Sequence, residues 1–141
     1  MPSAEADGAP TSVLDASALL AFIQGEEGKS VVAAALGGRS AISAVNWAEV
    51  LSKAAAEGRD PAVLEADLRE KGFIGEALVI EPLSEADCVE VGRLRPMTEA
   101  QGLSLADRVC LVLAARLGVA ALTSDGAWSD ADVEAEVVLI R

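Results

Sequence analysis

The candidate chemical groups of this 141-residue chain are carboxylates. It contains no histidine, which excludes Ser-His-Asp catalysis, Cys-His catalysis and zinc sites built from imidazole. Oxygen ligands without histidine or cysteine are those that Mg²⁺ and Mn²⁺ prefer. Carboxylates that converge on one place repel one another unless a cation neutralises them. A site for Mg²⁺ (or Mn²⁺) is therefore indicated if the fold brings together four acids, namely Asp15, Glu49, Asp107 and Asp125.

Each of these acids also has a purely structural interpretation. Ser104 and Asp107 fit the S-x-x-D pattern of a capping box at the start of a helix. Asp15 stands where a helix N-cap is needed. Glu49 follows Asn46 by three residues, so it can form a capping pair or face solvent. The acid at position 125 precedes a glycine, which is ordinary turn chemistry.

Small hydroxyl residues beside three of the acids favour the metal interpretation. They are Ser17, Ser104 and Ser124, and their hydroxyl groups are suited to hydrogen bonds that orient a carboxylate. We predict Ser17 and Ser124 as supporting residues of the site.

The elements that must position these groups follow from the pattern of apolar residues. Short apolar stretches predict strands at 11–15, at 40–43, within 77–83 and at 119–125, with a possible fifth within 133–141. Helical stretches separate them at 16–25, 30–38, 44–58, 61–72, 84–96 and about 104–118, with a loop at 96–103. This alternation predicts an α/β fold, a single three-layer domain over 11–141 with a short-stranded parallel sheet flanked by helices. We expect residues 1–10 to be a disordered tail.

In such a sheet, ligands bind at the carboxyl ends of the strands. Asp15 ends the first predicted strand and Asp125 ends the fourth. Glu49 lies in the helix that leaves the second strand, and Asp107 lies in the first turn of the helix that leads to the fourth. All four acids are therefore expected at one edge of the sheet.

Composition limits the remaining possibilities. The formal net charge is −12, so a basic surface that grips nucleic acid regardless of sequence is not visible. No apolar run is long enough to span a bilayer, and the acidic start has no signal-peptide pattern. We expect a cytoplasmic protein without membrane contact. Cys88 and Cys110 are expected to pack in the core.

Four motifs together resemble the PIN domain, and most closely the VapC toxins of type II toxin–antitoxin modules. They are "VLDASALLAF", "AISAVNWAEVL", "GLSLADRVCLVLAARLG" and "ALTSDGAW", and the resemblance covers about residues 12–141. It implies a five-stranded parallel sheet and a ribonuclease that depends on Mg²⁺ or Mn²⁺. Asp15, Asp107 and Asp125 are then the metal ligands, and Glu49 acts through water. The mechanism would be metal-assisted hydrolysis of an RNA phosphodiester bond.

The same resemblance implies partners. VapC toxins form homodimers and are held inactive by a cognate antitoxin protein. Many relatives carry arginine directly after the last acid, where this chain has Gly126. RNA contact must be local in so acidic a chain. Arg93, Arg95 and Arg108 lie near the expected site, although for each of them a place on a solvated face or in a salt bridge is the favoured interpretation.

Other α/β families with clustered acids fit less well. A phosphoacceptor receiver domain needs a late lysine, and this chain has none after Lys71. A haloacid-dehalogenase-type phosphatase needs a second aspartate two residues after the first, where this chain has Ser17. The serious alternative is a catalytically silent PIN-like module that works only through protein binding.

Overall fold

The structure is a computed structural model that describes residues 8–141. The predicted tail therefore lies mostly outside the described residues, and residues 8–10 form neither helix nor strand. The strands are β1 (Ser12–Leu14), β2 (Ser40–Ser43), β3 (Leu78–Glu81), β4 (Ala120–Thr123) and β5 (Val137–Leu139). The helices are α1 (Ala16–Gln24), α2 (Lys29–Gly37), α3 (Ala44–Ala56), α4 (Pro61–Glu70), α5 (Glu85–Thr98) and α6 (Leu105–Leu117), with a 3₁₀ helix at Gly126–Asp130.

The five strands form one parallel sheet in the order β3-β2-β1-β4-β5. The central strand is β1, and Leu14 pairs in register with Ile42 of β2 and Leu122 of β4. The chain therefore adds β2 and β3 on one side of β1, and then crosses over to add β4 and β5 on the other side. The gap between β1 and β4 is the topological switch point, where open parallel sheets bind ligands at their carboxyl edge.

Helices cover both faces of the sheet because alternate strand residues point to opposite sides. One face packs against α6 and the 3₁₀ helix through Val13, Ala41 and Ala121. The other face packs against α1 to α4 through Leu14, Ile42 and Leu122. Helix α5 lies against α6. The predicted α/β class and three-layer arrangement are confirmed.

One predicted helix boundary is wrong. The break was expected at Pro96, but α5 continues through Thr98. A proline inside a helix removes one backbone hydrogen bond, to the carbonyl four residues earlier. The last turn is held in another way, because the buried Thr98 hydroxyl donates to the Leu94 carbonyl over 2.8 Å.

The two cysteines have different environments. Cys110 is fully buried, as predicted, whereas Cys88 is exposed, so its assignment to the core was wrong. The buried positions of α5 include Asp87 and Val91, and they define the face that packs on α6. Cys88 is rotated about 100° from Asp87 around the helix axis and points away from that face.

Within residues 8–141, the search for a helix long and apolar enough to cross a membrane found none.

Candidate metal centre

Asp15 follows β1 directly and is the N-cap of α1. Its Oδ1 accepts hydrogen bonds from the Ala18 N–H at 2.8 Å and from the Ser17 hydroxyl at 2.7 Å. Its Oδ2 accepts a third from the Thr123 hydroxyl at 2.6 Å. The Asp15 carboxylate therefore caps a helix, as its structural interpretation predicts, and it lies between the carboxyl ends of β1 and β4, where the metal interpretation expects a ligand.

Burial raises the pKa of Asp15 above its ordinary value of 3.8, because only 5% of the residue is exposed and the ionised form loses its water. The hydrogen bonds from Thr123, Ala18 and Ser17 act in the opposite direction, and the negative charge of Asp107 adds to the rise. Folding thus places the Asp15 charge in an environment that opposes it, and a nearby cation would relieve that cost.

Thr123 is a functional candidate that the sequence analysis missed. Its hydroxyl donates to Asp15 and also accepts the Asp125 N–H at 3.1 Å, so it links two of the acids. The predicted supporting residue, Ser124, contributes its backbone N–H, which donates to the Ser17 hydroxyl oxygen at 3.0 Å. Thr123 is the last residue of a buried strand and is itself fully buried, which only the structure shows.

Asp107 and Asp125 also cap helices. Asp107 closes a capping box at the start of α6: its Oδ2 accepts the Ser104 N–H at 2.8 Å, and the Ser104 hydroxyl oxygen accepts the Asp107 N–H. Asp125 is the N-cap of the 3₁₀ helix, and its Oδ1 accepts the Ala127 N–H at 2.9 Å. The structural interpretations of these acids are therefore realised in the fold.

Glu49 lies in the second turn of α3 and is exposed. Its Oε1 accepts a hydrogen bond from the Asn46 side-chain amide at 2.9 Å. The same amide nitrogen donates to the Ala106 carbonyl in the first turn of α6 at 3.2 Å. The spacing of Asn46 and Glu49 suggested a capping pair, but the N-cap of α3 is Ser43 and the contact joins two side chains. The link to α6 was not expected.

The negative charges of three of the acids act on one buried thiol. The pKa of Cys110 lies well above its ordinary value, mainly because of burial and then because of the negative charges of Asp15, Asp107 and Glu49. Within residues 8–141, none of the four acids forms an ion pair with lysine or arginine. The fold therefore gathers negative charge at the switch point without a protein cation to balance it.

The four carboxylates do not converge tightly on one point. In the described part of the chain, no three acidic or cysteine side chains lie close enough to hold one metal ion together. Three of the acids are instead turned toward the helix N-termini that they cap. The donor set is nevertheless all oxygen and free of histidine, which suits a hard divalent cation.

The arginines proposed for RNA contact have separate environments. Arg108 is only 6% exposed, and its guanidinium donates to the Val91 carbonyl at 2.9 Å, so it is unavailable to a large ligand. Arg108 lies on the side of α6 that packs against α5, so it has neither the RNA contact considered for it nor the solvated or salt-bridged place that the sequence favoured. Arg93 and Arg95 are exposed on α5, where Arg93 pairs with Glu90 at 3.4 Å. Gly126 begins the 3₁₀ helix and offers no charged group.

Comparison with known proteins identifies relatives at two levels. The sequence matches the PIN domain family over residues 12–134. No curated protein sequence matches it significantly.

Solved structures of the same fold span nearly the whole chain. One is a toxin–antitoxin complex from Klebsiella pneumoniae, with 19% identity, a TM-score of 0.66, and coverage of 92% of this chain and 98% of that one. DNA-bound VapBC from Salmonella typhimurium has 16% identity, a TM-score of 0.70, and coverage of 93% and 98%. FitAcB from Neisseria gonorrhoeae has 22% identity, a TM-score of 0.63, and coverage of 89% and 95%. At these identities the likeness shows the fold.

Proposed function

The chain belongs to the PIN domain family, and on that premise we propose that it is a ribonuclease dependent on Mg²⁺ or Mn²⁺. It would hydrolyse phosphodiester bonds within RNA as the toxin of a type II toxin–antitoxin pair. Its place of action would be the cytoplasm.

The observation that carries this proposal is the unbalanced charge at the switch point. Four carboxylates lie at one sheet edge, and none has an ion-pair partner in the described part of the chain. The pKa of Asp15 is raised by burial first and by the charge of Asp107 as well. A fold that keeps several uncompensated acids together is one that a divalent cation would stabilise.

The proposed ligands are Asp15, Asp107 and Asp125, with Glu49 acting through water. When bound, the cation supplies Lewis-acid chemistry, which polarises a phosphate oxygen and makes water a better nucleophile. The residues of the chain position the ligands. Thr123 and Ser17 fix both oxygens of Asp15, and the Ser104 backbone fixes one oxygen of Asp107.

The proposed partners are RNA, an antitoxin protein and a second copy of the chain. Support for the antitoxin comes from the likeness in fold to proteins that were solved as toxin–antitoxin complexes. A homodimer follows only from the resemblance to VapC toxins.

The alternative function is a catalytically silent PIN-like module that only binds other proteins. The observation in its favour is that three of the four carboxylates are occupied as helix caps, and that no three acids among residues 8–141 converge on one point. The presence of all four acids favours the nuclease.

An RNA cleavage assay distinguishes the two functions. The purified chain is incubated with RNA in Mg²⁺, in Mn²⁺ and in excess EDTA. An Asp125→Asn variant is assayed beside it. This variant keeps the helix cap, because Asn caps a helix about as well as Asp. We expect cleavage in either metal, none in EDTA, and a strong loss in the variant. Undiminished cleavage in EDTA would exclude the metal mechanism, and no cleavage under any condition would favour the silent module.

A further inference from the structure

Asn46 is almost completely buried, with 1% of its surface exposed, and its side chain is fully engaged. Its Oδ1 accepts the Ser43 hydroxyl at 2.9 Å at the end of β2. Its Nδ2 donates to Glu49 at 2.9 Å and to the Ala106 carbonyl at 3.2 Å. Both acceptors of Nδ2 are oxygens that cannot donate, so the orientation of the amide follows from its partners.

Glu49 differs from the other three acids in the way it is held. Asp15, Asp107 and Asp125 are short side chains whose oxygens accept backbone N–H groups at helix N-termini. Glu49 lies beyond the helix start, is exposed and has one more rotatable bond. A long exposed side chain keeps substantial rotamer freedom unless another group restrains it. The hydrogen bond from Asn46 is the restraint that the structure provides.

Asn46 also connects two helices of the site. Ala106 immediately precedes Asp107 in the first turn of α6, whereas Glu49 belongs to α3. One amide group therefore fixes Glu49 relative to the helix that carries Asp107. The Ser43 hydroxyl holds that amide against the carboxyl end of β2.

We propose that Asn46 is a positioning residue of the metal centre, which sets the place of the Glu49 carboxylate relative to Asp107 through its two N–H groups. This inference rests on the proposed metal-dependent function. Asn46 touches neither metal nor RNA in this role, and its effect on cation affinity passes through Glu49.

Calorimetric titration with MnCl₂ in the absence of RNA tests the proposal. We expect Asn46→Ala to raise the Kd for Mn²⁺ on the order of tenfold, as is typical when a partner that orients a metal-binding group is removed. Glu49→Ala is expected to raise the Kd at least as much. The double variant is expected to match Glu49→Ala, because an orienting residue has no effect once its target is gone.

Ser40→Ala is the matched structural control. Ser40 is fully buried at the opposite end of β2, where its hydroxyl donates to the Ala35 carbonyl at 2.9 Å. Its loss is expected to lower the melting temperature without changing the Kd for Mn²⁺. Should Asn46→Ala fail to fold, Asn46→Val fills more of the volume, lacks the donor and carries the same expectation.

The outcomes separate this inference from the function on which it rests. A wild-type chain that binds no Mn²⁺ overturns both. A wild-type chain that binds Mn²⁺ while Asn46→Ala keeps the same Kd overturns the positioning role alone. A further rise in Kd when Asn46→Ala is added to Glu49→Ala overturns it too, since Asn46 would then act on another group.

Discussion

At the scale of single residues, capping a helix and binding a cation are compatible uses of one carboxylate. An ionised carboxylate has two oxygens and about four lone-pair directions. Asp107 uses Oδ2 to accept the Ser104 N–H, and Asp125 uses Oδ1 to accept the Ala127 N–H. A cap holds the side chain in one rotamer at the sheet edge, so capping prepares a carboxylate for a second partner.

Asp15→Asn distinguishes a cap from a metal ligand. Asn caps a helix about as well as Asp, so a residue that only caps should tolerate the change. The Asp15 charge is instead opposed by burial and by Asp107. We therefore expect the variant to melt at a higher temperature than the wild type in EDTA. Mg²⁺ should stabilise the wild type by roughly 2.7 kcal/mol at a hundred times its Kd, and the variant far less.

Thermal melts of both proteins, each in EDTA and in Mg²⁺, provide the measurement. If the variant melts no higher than the wild type in EDTA and both gain equally from Mg²⁺, then Asp15 is only a cap.

Thr123 and Ser124 form a matched pair for a second residue-scale prediction. Thr123→Val removes the hydroxyl that donates to Asp15 and keeps the shape, so it should lower the free energy of unfolding by about 1.5–3 kcal/mol, the range for a hydrogen bond to a charged group. Ser124→Ala keeps the backbone N–H that donates a hydrogen bond to Ser17. It should change the free energy of unfolding by less than about 0.5 kcal/mol. Urea denaturation of both variants measures the difference. Equal losses would contradict the role assigned to Thr123.

At the scale of elements, an ion pair joins the start of α5 to the end of α6. Asp87 is 5% exposed, and its two oxygens accept the Nε and an Nη of Arg116 at 3.0 and 3.2 Å. It also closes a capping box with Ser84. Burial acts to raise the pKa of Asp87, but the Ser84 hydrogen bonds and the Arg116 charge outweigh it and hold the pKa below 3.8.

The sign of this shift gives a pH-dependent prediction. A lowered pKa contributes stability above pH 3.8 that is lost as the pH falls through the lower folded-state value. Asp87→Asn keeps the cap but not the charge. At pH 7 this variant should have a free energy of unfolding about 1–2 kcal/mol lower than that of the wild type. The loss is smaller than for a fully buried ion pair because Arg116 is partly exposed. The deficit should shrink below pH 3.8.

Urea denaturation of wild type and variant between pH 7 and pH 3 tests this expectation. Glu57→Gln, which breaks the exposed pair with Lys53, is the control and should change little at any pH. A deficit of Asp87→Asn that stays constant with pH would show that the charge of Asp87 is not its source.

Elements and caps were largely predictable because their signals are local. The residues of an apolar run, or of a capping pair such as Ser104 with Asp107, lie within a few positions of each other, and the structure shows this capping box as expected. The Asp15–Thr123 and Asn46–Ala106 contacts join residues 108 and 60 positions apart. Nothing in either local stretch marks such a contact, because it exists only after strands and helices have packed.

At the scale of the whole molecule, the charge of the chain indicates what kind of side chain the proposed antitoxin would use. The chain has 23 acidic and 11 basic residues. When the four site residues are set aside, 19 acidic residues remain, so the rest of the chain is also acidic. An antitoxin that silences the proposed site should place a cationic side chain against these carboxylates, and arginine does so with two parallel hydrogen bonds. We expect this protein to co-purify with the product of an adjacent small gene and to lose its RNA cleavage in that complex.

The measurement compares RNA cleavage by the free protein and by the purified pair, with light scattering to give the mass of each. An arginine-to-alanine scan of the small partner should restore cleavage at one position. A pair that cleaves as fast as the free protein rules out inhibition.

The sheet order also sets when the site can come into being during synthesis. Asp15 follows the first strand made, whereas Thr123 ends the fourth strand and Asp125 comes after it. The central contact therefore waits for 108 further residues, on the order of 5–20 s at ordinary rates of translation. Until then the nascent chain contains three complete strands of the five-stranded sheet and only the β1 side of the switch point. The proposed nuclease site therefore cannot be complete in the nascent chain until Thr123 and Asp125 have been synthesised.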